Sequence, residues 1–171
     1  MQITRTHRLA EGAVIAALYA VLTMLAAAIG VAYPAFQFRF SEALTILPVF
    51  TPAAVPGLAV GCLISNLGSP FGVIDWVFGT LATLLGALLT RALRNVRFKN
   101  IPYLAPLPPV LVNALIVGGV ITFLLPEGFS FAAFLAAGLE VGLGQLIVCY
   151  GLGLPLAVLL EKSGAARHIF R

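Results

Sequence analysis

The chain has 171 residues, of which 61% are hydrophobic and 9% charged, with a formal net charge of +4 and a mean hydropathy of +1.07. Soluble domains carry roughly 25% charged residues, so this composition excludes a chain whose whole surface meets water. Uncharged runs cover 12–32, 43–74, 76–90, 100–126 and 141–160, and about 20 apolar residues span a bilayer.

These runs predict a single, all-α, multi-pass membrane domain over 1–171, lodged in the cell membrane. A signal peptide fits the first run poorly, because the run is long and no soluble domain follows it. Nine of the ten basic residues fall in three clusters: Arg5 and Arg8; Arg91, Arg94, Arg97 and Lys99; Lys162, Arg167 and Arg171. Basic residues favour the cytoplasmic side, so placing all three clusters there demands an even number of crossings between each pair.

The first helix, 12–32, therefore leads outward. Ala13, Ala16, Ala17 and Ala20 form overlapping A-x-x-x-A pairs in its cytoplasmic half, a face that lets another helix approach closely, within the chain or from a partner. Next comes FQFRFSEALTILP, residues 36–48, which sets Arg39 and Glu42 among phenylalanines. By parity, 41–67 contributes no crossing or two. Pro48, Pro52 and Pro56 break it near its middle, which fits a hairpin of two short helices, spanning or re-entrant. Helix 75–93 returns the chain to the second basic cluster, 107–125 goes out, and 131–160 comes back after a turn at 126–128. The count is six helices with both termini cytoplasmic.

Ionisable groups inside a membrane are costly, so function is the default reading for them. In this topology Arg39, Glu42, Asn66, Asp75, Trp76, Asn113 and Glu140 gather in the outer half. Glu140 lies about 13 Å into the last helix. Glu140 shares a helical stripe with Ala133, Ala136, Ala137, Gly144 and Gly151, and Asp75 heads Gly79, Ala82 and Gly86; such small residues leave room for a ligand or for a neighbouring backbone. Asp75 and Ser41–Glu42 also fit helix N-termini, with Arg39 as counter-ion. Asn113 and Gln145 fit interhelical hydrogen bonding, and Tyr33 and Trp76 fit interfacial anchoring.

No G-x-x-x-x-G-K-[ST] phosphate loop is present, so any ATP-driven work needs another chain. Cys62 and Cys149 sit in apolar runs without metal-ligand spacing and read as buried thiols. His7 and His168 fall in the tails, and no nucleophile–base spacing appears within the membrane. No catalytic residue, metal, cofactor or nucleic-acid partner is expected.

The stretches FRFSEALTILPVFTPAAVPGLAVGCLISNL, VIDWVFGTLATLLGALLTRALR, LPPVLVN and IVCYGLGLPL resemble the queuosine-precursor transporter (QueT) family, substrate-capture (S) components of energy-coupling factor (ECF) vitamin importers. The likeness runs from the first helix to about Glu161. It implies six helices with both termini inside, and an outer pocket closed by the loop between the first two helices. It also implies that the alanine face of the first helix docks on a transmembrane coupling protein joined to two ATPase subunits. The implied substrate is a 7-deazaguanine: queuine, a precursor base or queuosine.

Such a base presents an N–H and an amine that one carboxylate can accept together, a carbonyl for an amide or arginine, and a flat face for stacking. Glu42, Asp75 and Glu140 are the candidate acids, with Glu140 or Asp75 assigned to the guanine-like edge and the other of the two free to meet the positively charged aminomethyl group of queuine or its amine precursor. Asn66 and Asn113 are the candidate amides, and Phe36, Phe38 and Trp76 the stackers. Phe36, Phe38, Arg39 and Phe40 together read as a lid. The alternatives are the same machinery with another purine-like or vitamin ligand, and an independent ion-coupled transporter.

Overall fold

A computed structural model describes residues 5–33, 37–126 and 128–170, so Phe36, Glu127 and Arg171 lie outside the described residues. In chain order the elements are α1 (Arg5–Ala28), a 3-10 helix (Phe40–Val49), α2 (Ala54–Asn66), α3 (Val73–Ala92), α4 (Leu107–Phe123), α5 (Phe131–Val148), α6 (Leu154–Lys162) and the short α7 (Ala165–Ile169). A π-helical turn, Cys149–Gly153, joins α5 to α6, so that Phe131–Lys162 runs on as one 32-residue helical segment. Pro155 falls inside that continuous segment just after the π-turn, where it cannot donate to the preceding turn and the widened winding accommodates the break in the ladder. The six expected segments are all present, and the chain is a multi-pass membrane protein.

Two boundaries differ from expectation. The first helix begins at Arg5 rather than 12, because charge bars a residue from hydrocarbon but not from a helix. It stops at Ala28 rather than 32, because Gly30 takes a left-handed φ of 79°. There the Val31 and Gly30 N–H groups donate to the Ala26 and Ala27 carbonyls at 3.0 and 2.9 Å, a Schellman ending that satisfies otherwise orphaned carbonyls.

The larger difference is the first arm of the hairpin, which is 3-10 rather than α. A 3-10 helix rises about 2.0 Å per residue against 1.5 Å, so ten residues reach about 20 Å instead of about 15 Å. Runs this long are uncommon because their hydrogen bonds are poorer. This one is enclosed: Ser41 through Val49 are all buried, with Leu44, Ile46, Leu47 and Val49 packed among Ile15, Tyr19, Leu58 and Ala87. At its far end the Arg91 guanidinium donates to the Pro48 carbonyl at 2.9 Å, since in lipid each backbone group needs a partner within the protein. Arg39 and Asn66 both reach Asp75, whereas Ala53 lies against Gly12. The 3-10 helix and α2 therefore run antiparallel.

The basic segments collect at one end. Arg97 pairs with Glu161, Phe50 stacks on Phe170 at 5.9 Å, and His7 and Phe170 line one groove. Around the 3-10 core, α1 packs on α2, α2 on α3, α3 on α4 and α4 on α5, leaving side chains such as Val14, Leu18, Val77, Phe78, Leu111, Leu115, Leu139 and Leu143 exposed for lipid.

Close helix contacts explain part of the glycine content. A Cβ on Gly61 would lie 2.7 Å from the Ala16 carbonyl oxygen and 2.8 Å from the Tyr19 Cβ. Gly61→Val is expected to cost about 1–3 kcal/mol through overpacking, read as a lower unfolding midpoint in detergent. Gly151→Ala, where a Cβ meets nothing within 4 Å, serves as the neutral control.

The alanine face of α1 divides. Ala16 and Ala20 are buried, at 6% and 7% exposure, with Ala16 against Gly61 of α2; Ala13 and Ala17 are exposed.

Candidate functional site

At the end opposite the basic segments, a buried polar core joins α1, the 3-10 helix, α2 and α3. Arg39 enters from the loop that follows α1 and is 3% exposed. Its Nε donates to the Ala32 carbonyl at 3.1 Å, and its Nη2 meets Asp75 Oδ2 at 3.5 Å. The guanidinium also covers the Tyr33 ring at 5.2 Å, while the Tyr33 hydroxyl donates to the Ser65 carbonyl at 2.9 Å. Cation, ring and backbone thus tie the loop to α2 and α3.

Asp75 is the third residue of α3, just past Gly72, whose φ of 60° turns the chain. Its side chain does not cap that helix. Instead Oδ2 accepts from Ser69 Oγ at 2.6 Å as well as from Arg39. The Asn66 amide donates to the Asp75 carbonyl at 3.0 Å and to Cys62 Sγ at 3.4 Å. Gly79 makes room for this amide, since a Cβ there would lie 2.7 Å from Asn66 Nδ2.

The second acid is held differently. Glu42 Oε1 accepts from the Tyr19 hydroxyl at 2.5 Å, and one helical turn on, Thr23 Oγ1 and Ser41 Oγ are 2.7 Å apart. Arg39 and Glu42, neighbours in sequence, do not form a salt bridge with each other; among the described residues the ion pairs are Arg39–Asp75 and Arg97–Glu161. Glu42 Oε2 is buried and has no hydrogen-bond partner, and the same holds for Asn66 Oδ1, Trp76 Nε1 and Thr80 Oγ1. Native proteins pair the great majority of such atoms, so each unpaired one calls for an explanation.

The structure therefore brings Arg39, Glu42, Asn66 and Asp75 into one buried set, with Trp76 beside Asp75 and Phe38 half-buried in the loop. Phe36 lies outside the described residues. Asn113 is buried at 3% exposure on α4, but its amide donates to the Pro109 carbonyl of its own helix at 2.9 Å rather than across helices. Glu140 stands exposed on α5, next to Leu139 and one turn from Leu143, while Ala137, Val141, Gly144 and Gln145 form the buried face. It is not brought into the cluster. Cys62 and Cys149 are free, buried thiols; Cys149 donates weakly to the Glu42 carbonyl at 3.6 Å.

Sequence reasoning missed Tyr19, Thr23 and Ser69. For the first two a signal existed: in a helix of alanine, leucine and valine, they are hydroxyl residues four apart, hence on one face.

Residues 9–162 match the family described as QueT transporter. A curated relative, the "Queuosine precursor transporter QueT" of Lactococcus lactis subsp. cremoris (strain MG1363), is 35% identical over 104 residues, which cover 58% of this chain and 61% of the relative. The match thus spans about three fifths of the relative's length. No solved structure matches the chain.

Proposed function

The chain belongs to the QueT transporter family, and from that footing we propose that it is the substrate-capture (S) component of an ATP-driven ECF importer, with a transport rather than a catalytic role. It takes up queuosine or a queuosine precursor, queuine or another 7-deazaguanine, from outside the cell. With the basic end in the cytoplasm, the buried polar core lies toward the outer face. The observation that carries the reading is this core itself: a membrane interior retains Arg39, Glu42, Asn66 and Asp75 at 0–3% exposure despite their cost. Donors and acceptors of that kind suit the edge of a deazaguanine, and Phe38 and Trp76 offer faces for its ring.

The exposed Ala13–Ala17 face of α1 is the docking surface for a transmembrane coupling protein, which connects to two ATPase subunits. Capture precedes docking, and hydrolysis elsewhere drives reorientation and release.

The test is ligand identification. Native mass spectrometry of protein purified from cells fed queuosine precursors is expected to find a bound 7-deazaguanine, and a ligand of another class would overturn the substrate. Asp75 lies in the core and Glu140 outside it, so Asp75→Asn is expected to weaken queuine binding by about tenfold or more. Glu140→Gln is expected to bind as wild type does, and wild-type affinity in Asp75→Asn would remove Asp75 from the site.

A further inference from the structure

The polar core holds one buried cation and two buried carboxylates: Arg39, Asp75 and Glu42 are 3%, 3% and 1% exposed. Arg39 forms its ion pair with Asp75 and acts on Glu42 only through space, so among the described residues no direct ion pair reaches Glu42. An ionised carboxylate in such a place is costly unless something pairs with it. Its geometry is nonetheless well defined. Tyr19, fully buried on α1, donates to Oε1 at 2.5 Å and fixes the carboxylate plane. Oε2 is buried and makes no hydrogen bond of ordinary geometry, with the Gln145 side chain facing the carboxylate. A carboxylate held at one oxygen by Tyr19, with its other oxygen unpaired, can take a further donor.

We propose that Glu42 Oε2 receives the protonated amine of the ligand, with Tyr19 as its positioning residue, so that the site selects amine-bearing 7-deazaguanines over neutral ones. The inference rests on the deazaguanine reading above and names the form carried. An ammonium supplies the missing positive charge and donates a charge-assisted hydrogen bond, about twice as strong as a neutral one. A neutral substituent at the same ring position leaves Glu42 unmatched. Sequence reasoning assigned the ring edge to Glu140 or Asp75 and the amine to the other of the two; the amine falls instead to Glu42, the acid whose Oε2 is unpaired.

The experiment compares two probes that share the ring, 7-aminomethyl-7-deazaguanine and 7-cyano-7-deazaguanine, titrated calorimetrically into the full chain in nanodiscs. Wild type is expected to prefer the aminomethyl probe by about tenfold or more. Glu42→Gln should bring the two affinities to within about threefold of each other, and Tyr19→Phe should shrink the preference partway, as loss of one orienting hydrogen bond implies. Full preference retained in Glu42→Gln would overturn the assignment while leaving deazaguanine recognition intact. Failure of wild type to bind either probe would overturn the substrate reading as well. Should Glu42→Gln prove misfolded by size-exclusion profile, Tyr19→Phe decides, and an unchanged preference there overturns the proposal.

Discussion

Arg39→Met should lower stability by about 3–5 kcal/mol, the cost of removing one partner from a buried ion pair, and should abolish ligand binding. The guanidinium makes three separate attachments, to the Ala32 carbonyl, to Asp75 and to the Tyr33 ring. Methionine fills much of the volume but leaves Asp75, 3% exposed, with Ser69 Oγ as its remaining side-chain donor among the described residues. The loop ahead of the 3-10 helix then loses its charge-based link to α3. The double variant Arg39→Met/Asp75→Leu removes both charges together, and replacing a whole buried pair by apolar groups is often neutral or better. Its unfolding midpoint in detergent should return most of the way to wild type, while binding stays lost. By contrast, Arg97 and Glu161 are 32% and 22% exposed, so breaking that pair should cost about 1 kcal/mol or less. A wild-type midpoint for Arg39→Met would show that the pair does not hold the loop.

The residues concerned also show how far the sequence could be read. Charges amid hydrocarbon announce themselves, which is why Arg39, Glu42 and Asp75 stand out on composition alone. Six segments follow from the spacing of uncharged runs and basic clusters, and the hairpin from Pro48, Pro52 and Pro56. What periodicity supplies is the angle between side chains on one helix, not the direction in which that helix faces. Glu140 illustrates the gap. It shares a stripe with Ala137 and Gly144, which are buried, and also with Ala136 and Gly151, which are exposed; the acid stands at the outer margin of that stripe. Small residues mark the helix contacts as well: Gly138 packs against the Ala114 carbonyl and beside Gly118. The 3-10 winding of Phe40–Val49 was illegible for another reason. Nothing local demands it, and the enclosure that stabilises a longer rise comes from α1, α3, the π-helical turn Cys149–Gly153 and, to a lesser degree, α2 around it. Tyr19 could be read as polar, but its role depends on meeting Glu42, a residue 23 positions away.

The division of the alanine face gives the last prediction. Ala13→Phe and Ala17→Phe are expected to reduce uptake by about fivefold or more in cells that also express the coupling module, because about 1–3 kcal/mol of overpacking at a docking face suffices for that. Both side chains point away from the fold, so the unfolding midpoint and the affinity for ligand should stay near wild type. Ala16→Phe should behave oppositely. Ala16 is 6% exposed, with its backbone against Gly61 and its neighbour Tyr19 bound to Glu42. A ring at that position would force α1 from α2, lower the unfolding midpoint and disturb ligand binding along with uptake. The two outcomes separate a face that meets a partner from one that holds the chain together. Uptake at the wild-type rate in both Ala13→Phe and Ala17→Phe would move the docking surface off α1.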